Sequence, residues 1–137
     1  MATTVRKTAY YSMTTPNRAG QGARLLSALA AHGVNLLGFT GFPNAGRAQV
    51  DFVPYDVSKF TTAARKLGMK VSKRKTVFLA QGTDKAGACA GICSKLAKAG
   101  INMVAMDAVA AGKGRFGAIF WVKPRDVARA SRLLRAR

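Results

Sequence analysis

Residues 17–36, NRAGQGARLLSALAAHGVNL, and residues 84–103, DKAGACAGICSKLAKAGINM, are one pattern written twice at an offset of 67. Eight of the twenty aligned residues are identical, among them Ala19/Ala86, Gly20/Gly87, Leu29/Leu96, Gly33/Gly100 and Asn35/Asn102. The correspondence resumes after a shift of three, VDFVPYDV at 50–57 against FWVKPRDV at 120–127, which predicts three extra residues in the middle loop of the second copy. A period of about 70 residues is the mark of a duplicated small domain, not of a short-repeat solenoid. A chain of 137 residues, 49% of them apolar, can bury a core, as one ordinary domain or two very small ones.

Each copy carries the same order of local signals. TAYYSM at 8–13 and TVFLAQ at 76–81 are rich in β-branched and aromatic residues and predict first strands. Asn17 and Asp84 are candidate N-caps for helices whose apolar residues are Leu25, Leu26 and Leu29 in one copy and Ile92, Cys93 and Leu96 in the other. Gly33 and Gly100 stop those helices. Two strands follow, near 34–40 and 48–53 in the first copy and 101–109 and 116–123 in the second. Asp56 and Asp126, near prolines, then open second helices. The resulting fold class is α+β: two ferredoxin-like βαββαβ units in tandem, residues 1–73 and 74–137. The first has room for a closing strand at 69–72. The second lacks its last strand, leaving either a three-stranded sheet or an edge covered by the other copy or another molecule, which favours a homo-oligomer, a dimer.

The strand, the Asn/Asp-Arg/Lys-x-Gly turn, the amphipathic helix and the closing Gly-Val/Ile-Asn resemble the ACT domain, an amino-acid-binding regulatory module, here in two ACT-like copies. NRAG followed by GVN makes copy one most similar to the regulatory domain of phosphoglycerate dehydrogenases. The resemblance covers about 8–72 and 76–137, with alanine at Ala19 and Ala86 where the family usually has proline. It implies a non-catalytic regulatory protein that holds a small molecule, an amino acid, between paired units at the strand-to-helix turns. The positions it implies are Thr15, Asn17, Arg18, Gly20, Asn35 and Leu36 in copy one, with Asp84, Lys85, Gly87, Asn102 and Met103, beside Gly82, in copy two. The turn has a physical logic of its own: a glycine permits close backbone approach, and the amides and dipole at a helix start favour a carboxylate.

The charge raises an alternative. Twenty-three Lys and Arg stand against five Asp, for a net charge of +18. Residues 1–58 carry five basic and two acidic side chains, residues 59–137 eighteen and three. Such a field attracts polyanions. Lys70, Lys73, Arg74 and Lys75 cluster between the copies, and Arg125, Arg129, Arg132 and Arg135 fall along one side of the last helix, so a nucleic-acid or ribosome partner is the competing reading. VFLAQG at 77–82 and KGRFGAIFWV at 113–122 also bear an imperfect likeness to the aromatic strands of RNA-recognition motifs. Alternation turns Phe120 and Val122 toward the helices and Ile119 and Trp121 outward, where Gln49 and Asp51 stand in copy one. That outward apolar face suits a buried oligomer interface better than base stacking.

The sequence offers little to an enzyme. One histidine, His32, cannot complete a catalytic triad or a His-ligated metal site, and the five aspartates form no evident acid–base pair. Cys89 and Cys93, four apart on a helix, read as reduced packing residues rather than metal ligands. No cofactor or metal is implied. No apolar run has the length of a membrane span or signal segment, so the expected location is cytoplasmic, with no membrane partner.

Overall fold

The computed structural model describes residues 3–137. In chain order its elements are β1 (Thr4–Thr15), α1 (Gln21–Ala31), β2 (Leu36–Asn44), β3 (Arg47–Pro54), α2 (Val57–Lys66), β4 (Lys75–Thr83), α3 (Ala88–Lys98), β5 (Met103–Gly112), β6 (Arg115–Val122), a 3₁₀ turn (Pro124–Asp126) and α4 (Val127–Leu133). The strands pair antiparallel and helices pack on them, an α+β architecture compatible with ferredoxin-like, ACT-like folds. The described residues divide into two compact units, Ala9–Lys75 and Thr76–Arg137, the latter also holding residues 3–8.

In the first unit β3 lies between β2 and the later part of β1, with Phe52 opposite both Tyr11 and Phe39. Val50 and Phe52 face the helices as alternation requires, and pack with Leu29 of α1 and Phe60, Ala63 and Ala64 of α2. Phe60 is the hub, its ring 5.1 Å from that of Tyr11 and 5.3 Å from that of Phe52. In the second unit β6 lies between β4 and β5, and Phe78 stacks on Phe120 at 5.2 Å under Ile92, Leu96 and Ala130.

The helix ends follow the sequence closely. After α1, Gly33 N–H donates to Ala30 O at 2.9 Å and Val34 N–H to Leu29 O at 3.0 Å; Gly100 and Ile101 repeat this on Ala97 and Leu96. The doubled bonds satisfy carbonyls left over at a helix end and explain why the glycine and the leucine five positions before Val34 and Ile101 recur. The helix starts differ from expectation. Neither Asn17 nor Asp84 is an N-cap, because the chain first turns through Gly20 and Gly87, both left-handed, which are the cap positions themselves. Asp56 does cap α2, its carboxylate accepting from Lys59 N–H at 3.1 Å, but Asp126 makes no capping bond, since it ends the 3₁₀ turn. Leu26, expected in the core, is 37% exposed; α1 turns Leu25 and Leu29 inward.

The insertion in copy two is also distributed differently. Both hairpins turn through two residues, Ala45-Gly46 and Lys113-Gly114, all at positive φ, so the middle loops are equal in length. One extra residue sits instead in β5, where the register shifts between Ala110 and Gly112, and two lie between β6 and α4 with the 3₁₀ turn. The structural partner of Phe120 is therefore Phe52.

No strand forms at 69–72, yet Ser72 N–H donates to Ser12 O at 2.8 Å while Ser72 Oγ accepts from Ser12 N–H at 3.0 Å, so this segment still covers β1. In the second unit the beginning of β1 fills the missing place: Thr4 Oγ1 donates to Gln81 O, and a Cβ on Gly82 would come within 2.9 Å of Thr3 Cα. Beyond it, Arg137 N–H reaches Val5 O at 3.4 Å and Lys7 N–H reaches Arg137 O at 3.0 Å. Ile119 and Trp121 are only 8% and 7% exposed within the single chain, so they offer no outward apolar face to a second copy.

In the first unit the Tyr10 phenol is pushed above its usual 10.0 by partial burial and, secondarily, by the Asp51 carboxylate. A proton held more tightly by the folded form gives stability that is complete below pH 10 and is lost as pH rises through the higher folded value. Alkaline unfolding should therefore move to higher pH in Tyr10→Phe, and phenolate difference spectra of Asp51→Asn should show Tyr10 titrating lower. Asp56→Ala should cost about 1 kcal/mol in urea denaturation and Asp126→Ala less than half of that, because only Asp56 satisfies a helix amide.

Candidate functional site

β4 ends at Thr83 and α3 begins at Ala88; the four residues between form the corner on which the candidate site is built. Asp84 N–H donates to Gly114 O at 2.8 Å, fastening the corner to the β5–β6 turn, and Ala88 N–H donates to Lys85 O at 3.2 Å. Gly87 follows at φ +82°, which aims α3 away from the strand. An added Cβ there would meet nothing within 4 Å, so it is the backbone conformation, not space, that asks for glycine.

An open cleft of about 380 Å³ lies at this corner. Asp84, Lys85 and Gly87 form one wall with the first turn of α3, Ala88–Ala90; Ala108–Ala110 of β5 form the other, with Phe116. The groups are complementary to a zwitterion. The start of α3 carries the positive end of a helix dipole, which together with the Lys85 ammonium suits a carboxylate. The Asp84 carboxylate suits an ammonium group, and the alanine and valine wall accepts a small apolar side chain.

The residues implied by the resemblance divide. Asp84, Lys85 and Gly87 come together in the cleft. Asn102 is exposed and Met103 packs against the core; neither lines it, and Gly82 is buried against Thr3 and Phe116. In copy one Gly20 takes φ +91° as Gly87 does, with Asn17 and Arg18 exposed beside it. Thr15 is buried and its hydroxyl donates to Gln21 Oε1 at 3.2 Å, while Asn35 Oδ1 accepts from Leu36 N–H at 2.9 Å, so both are engaged locally.

Cys89, Ala108–Ala110 and Phe116 were not foreseen. Ala110 reaches the site because it pairs with Phe116 across β5–β6, a register fixed by the two-residue turn and the adjoining bulge. Pattern matching between copies at constant offset does not carry that register. Asp51, expected on the outward side of its strand, is buried. It is 6% exposed, and Gln49 Nε2 donates to its Oδ1 at 3.1 Å while Asn44 Nδ2 donates to Gln49 Oε1 at 3.0 Å.

The cations of the competing reading also divide. Lys70, Lys73 and Arg74 are exposed. Lys75 is not a free cation: its Nζ donates to Ser12 Oγ at 3.0 Å and stands 5.3 Å over the Tyr10 ring. The aromatic residues that would stack bases, Phe78, Phe116, Phe120 and Trp121, are 0–7% exposed and cannot serve as a stacking platform. Among the described residues no group of three His, Cys, Asp or Glu side chains is placed to hold a metal ion, and both cysteines are free thiols. No helix among them is long and apolar enough to cross a membrane.

No protein-family profile and no curated protein sequence matches the chain. Solved structures do. Protein BT0572 from Bacteroides thetaiotaomicron is similar with a TM-score of 0.81 at 18% identity, over 96% of this chain and 88% of that one. The ligand-free regulatory subunit of aspartate kinase from Thermus thermophilus gives 0.64 at 16% identity, over 98% of this chain and 95% of that one. The aspartokinase alpha and beta subunits give 0.62 at 16%, with the same coverage. At these identities the likeness is one of fold, an ACT-like fold that the chain shares with regulatory subunits of aspartate kinase.

The corner makes a paired prediction. Gly87→Ala should destabilise by about 1–2 kcal/mol, the cost of a side chain in the left-handed region. Gly91→Ala, inside α3 with open space around it, should stabilise by up to about 1 kcal/mol. Urea denaturation of the two variants checks both signs.

Proposed function

We propose that this chain is a non-catalytic regulatory protein that binds a free amino acid or closely related small zwitterion at the strand-to-helix corner. The observation that carries the reading is the cleft of about 380 Å³ bounded by Asp84, Lys85 and Gly87, in which opposite charges, the start of a helix and an apolar wall converge. A volume of that size falls in the range of small-molecule sites. The ACT-like fold shared with aspartate kinase regulatory subunits supports it, as does the likeness of NRAG and GVN to the regulatory domain of phosphoglycerate dehydrogenases.

The cleft is open, and beside it Val104 and Val109 of β5 are 58% and 68% exposed. β5 is a terminal strand of its sheet. Pairing of units from two copies of the chain would cover these valines and close the ligand from solvent, so that binding shifts the assembly and is sensed by a downstream partner. No step of bond making is assigned to the protein.

A thermal-shift screen of the common amino acids tests this. A ligand at a hundredfold excess over its Kd stabilises by about 2.7 kcal/mol, a rise of roughly 5–10 °C in Tm. Asp84→Ala should abolish the rise while leaving the unliganded Tm within about 2 °C, since Asp84 is exposed and only its backbone is bonded. Asn17→Ala tests the first corner in the same way. A ligand whose shift survives Asp84→Ala, Asn17→Ala and Val109→Arg together binds elsewhere, and the assignment fails.

A further inference from the structure

The helical layer of the second unit carries a charge pattern that the cleft does not use. Lys95 and Lys98 lie on the outward side of α3, and Arg125, Arg129, Arg132, Arg135 and Arg137 lie on or next to α4; all seven are exposed. The inward sides of both helices are committed to the core through Ile92, Leu96, Val127, Ala130 and Leu134. The Arg129 guanidinium donates to Ala99 O at 3.0 Å, just past the end of α3, which brings the α4 arginines beside Lys95 and Lys98. Asp126 is the one acid on this layer, and it lies 4.0 Å from Arg129. Among the described residues the side chains of Lys95, Lys98, Arg125, Arg132 and Arg135 have no hydrogen-bond or ionic partner. A layer of uncompensated like charges is electrostatically unfavourable by itself, and a polyanion relieves it.

We infer that this α3/α4 face binds the phosphate backbone of double-stranded nucleic acid without reading sequence. Five of the seven cations are arginine, whose planar fork suits phosphate oxygens. No aromatic side chain is exposed on the layer, and those of the adjoining strands are buried, so base stacking of the single-strand kind is not available. Only Leu133, 37% exposed, interrupts the charges with a large apolar side chain, too little to insert into a lipid surface. The eleven residues of α3 span about 16 Å, and that length of duplex carries about nine phosphates over its two strands, more than the five or six contacts that one face can make. The face is separate from the cleft residues, so this inference does not depend on the ligand reading above.

The test is fluorescence anisotropy of the full chain with labelled duplex DNA, duplex RNA and a single strand, each about 20 nucleotides long, between 50 and 200 mM KCl. With five or six phosphate contacts, duplex affinity should fall about 10³-fold over that range. The variant Lys95→Gln/Lys98→Gln/Arg125→Gln/Arg132→Gln should lower the salt slope by about four. An equal loss of charge in the other unit, Arg24→Gln/Lys59→Gln/Arg65→Gln/Lys66→Gln, should change it by less than one. Arg132→Gln alone should lower it by about one and serves if the quadruple variant does not fold. Equal affinity for DNA and RNA duplexes supports pure backbone recognition, and a preference names the source. No duplex binding at 50 mM salt overturns the inference. So do equal losses in the two quadruple variants, preference for the single strand, or tighter binding to phosphatidylserine vesicles than to duplex.

Discussion

Phe52 and Phe120 each hold their own unit together from within. Each lies on a strand flanked on both sides by others, β3 or β6, each is 0% exposed, and each packs against an aromatic neighbour, Phe60 of α2 in one case and Phe78 of β4 in the other. Truncating a buried ring of this kind typically costs about 3–5 kcal/mol, a large part of the stability of a small domain. Because this contact fixes which face of the strand meets the helices, it also fixes which face of each helix meets water. The exposed cations of α3 and α4 and the corner that feeds α3 are placed by that one burial.

The two copies have diverged around this shared core. Both keep the left-handed glycine at the helix start and the glycine at its end, since each serves the backbone whatever the side chains do. Near the corner they part. Copy two has cysteine, alanines and valine around an open cleft, whereas copy one has Gln21 tied to Thr15 and a bulky Phe42 on the matching strand. Both units are basic, with ten Lys and Arg in residues 9–75 and thirteen in the rest of the chain, but the second gathers seven of them on its helical layer, while the first keeps a buried carboxylate, Asp51, that accepts from Gln49. Duplication at the level of backbone has thus left room for two different surfaces.

Much of this was legible in the repeat. Equal glycines at equal spacing announce equal helix ends, and alternation in QVDFV and AIFWV names the core-facing residues, because a strand can bury only every second side chain on a given face. Three things were not legible. The capping role given to Asn17 and Asp84 failed because a cap depends on the conformation of the residues next to it, and Gly20 and Gly87 take the position first. The three-residue insertion was assigned to the middle loop because an alignment shows its size but not its place. The outward face of Ile119 and Trp121 was read as free because alternation tells which side a residue is on, not whether something already covers that side.

The sequence alone determined the duplicated α+β plan, the helix ends and the excess of positive charge, all of which follow from local backbone preference and composition. Tertiary structure alone decided that the start of β1 lies against Gln81 and Gly82 in the second unit, and that Ala108–Ala110 and Phe116 meet Asp84 and Lys85 across a cleft. It also gathered the cations of two helices onto one layer through Arg129 and Ala99. These contacts join residues far apart in the chain, and their registers are set by hydrogen-bond pairing, bulges and packing that no single segment encodes.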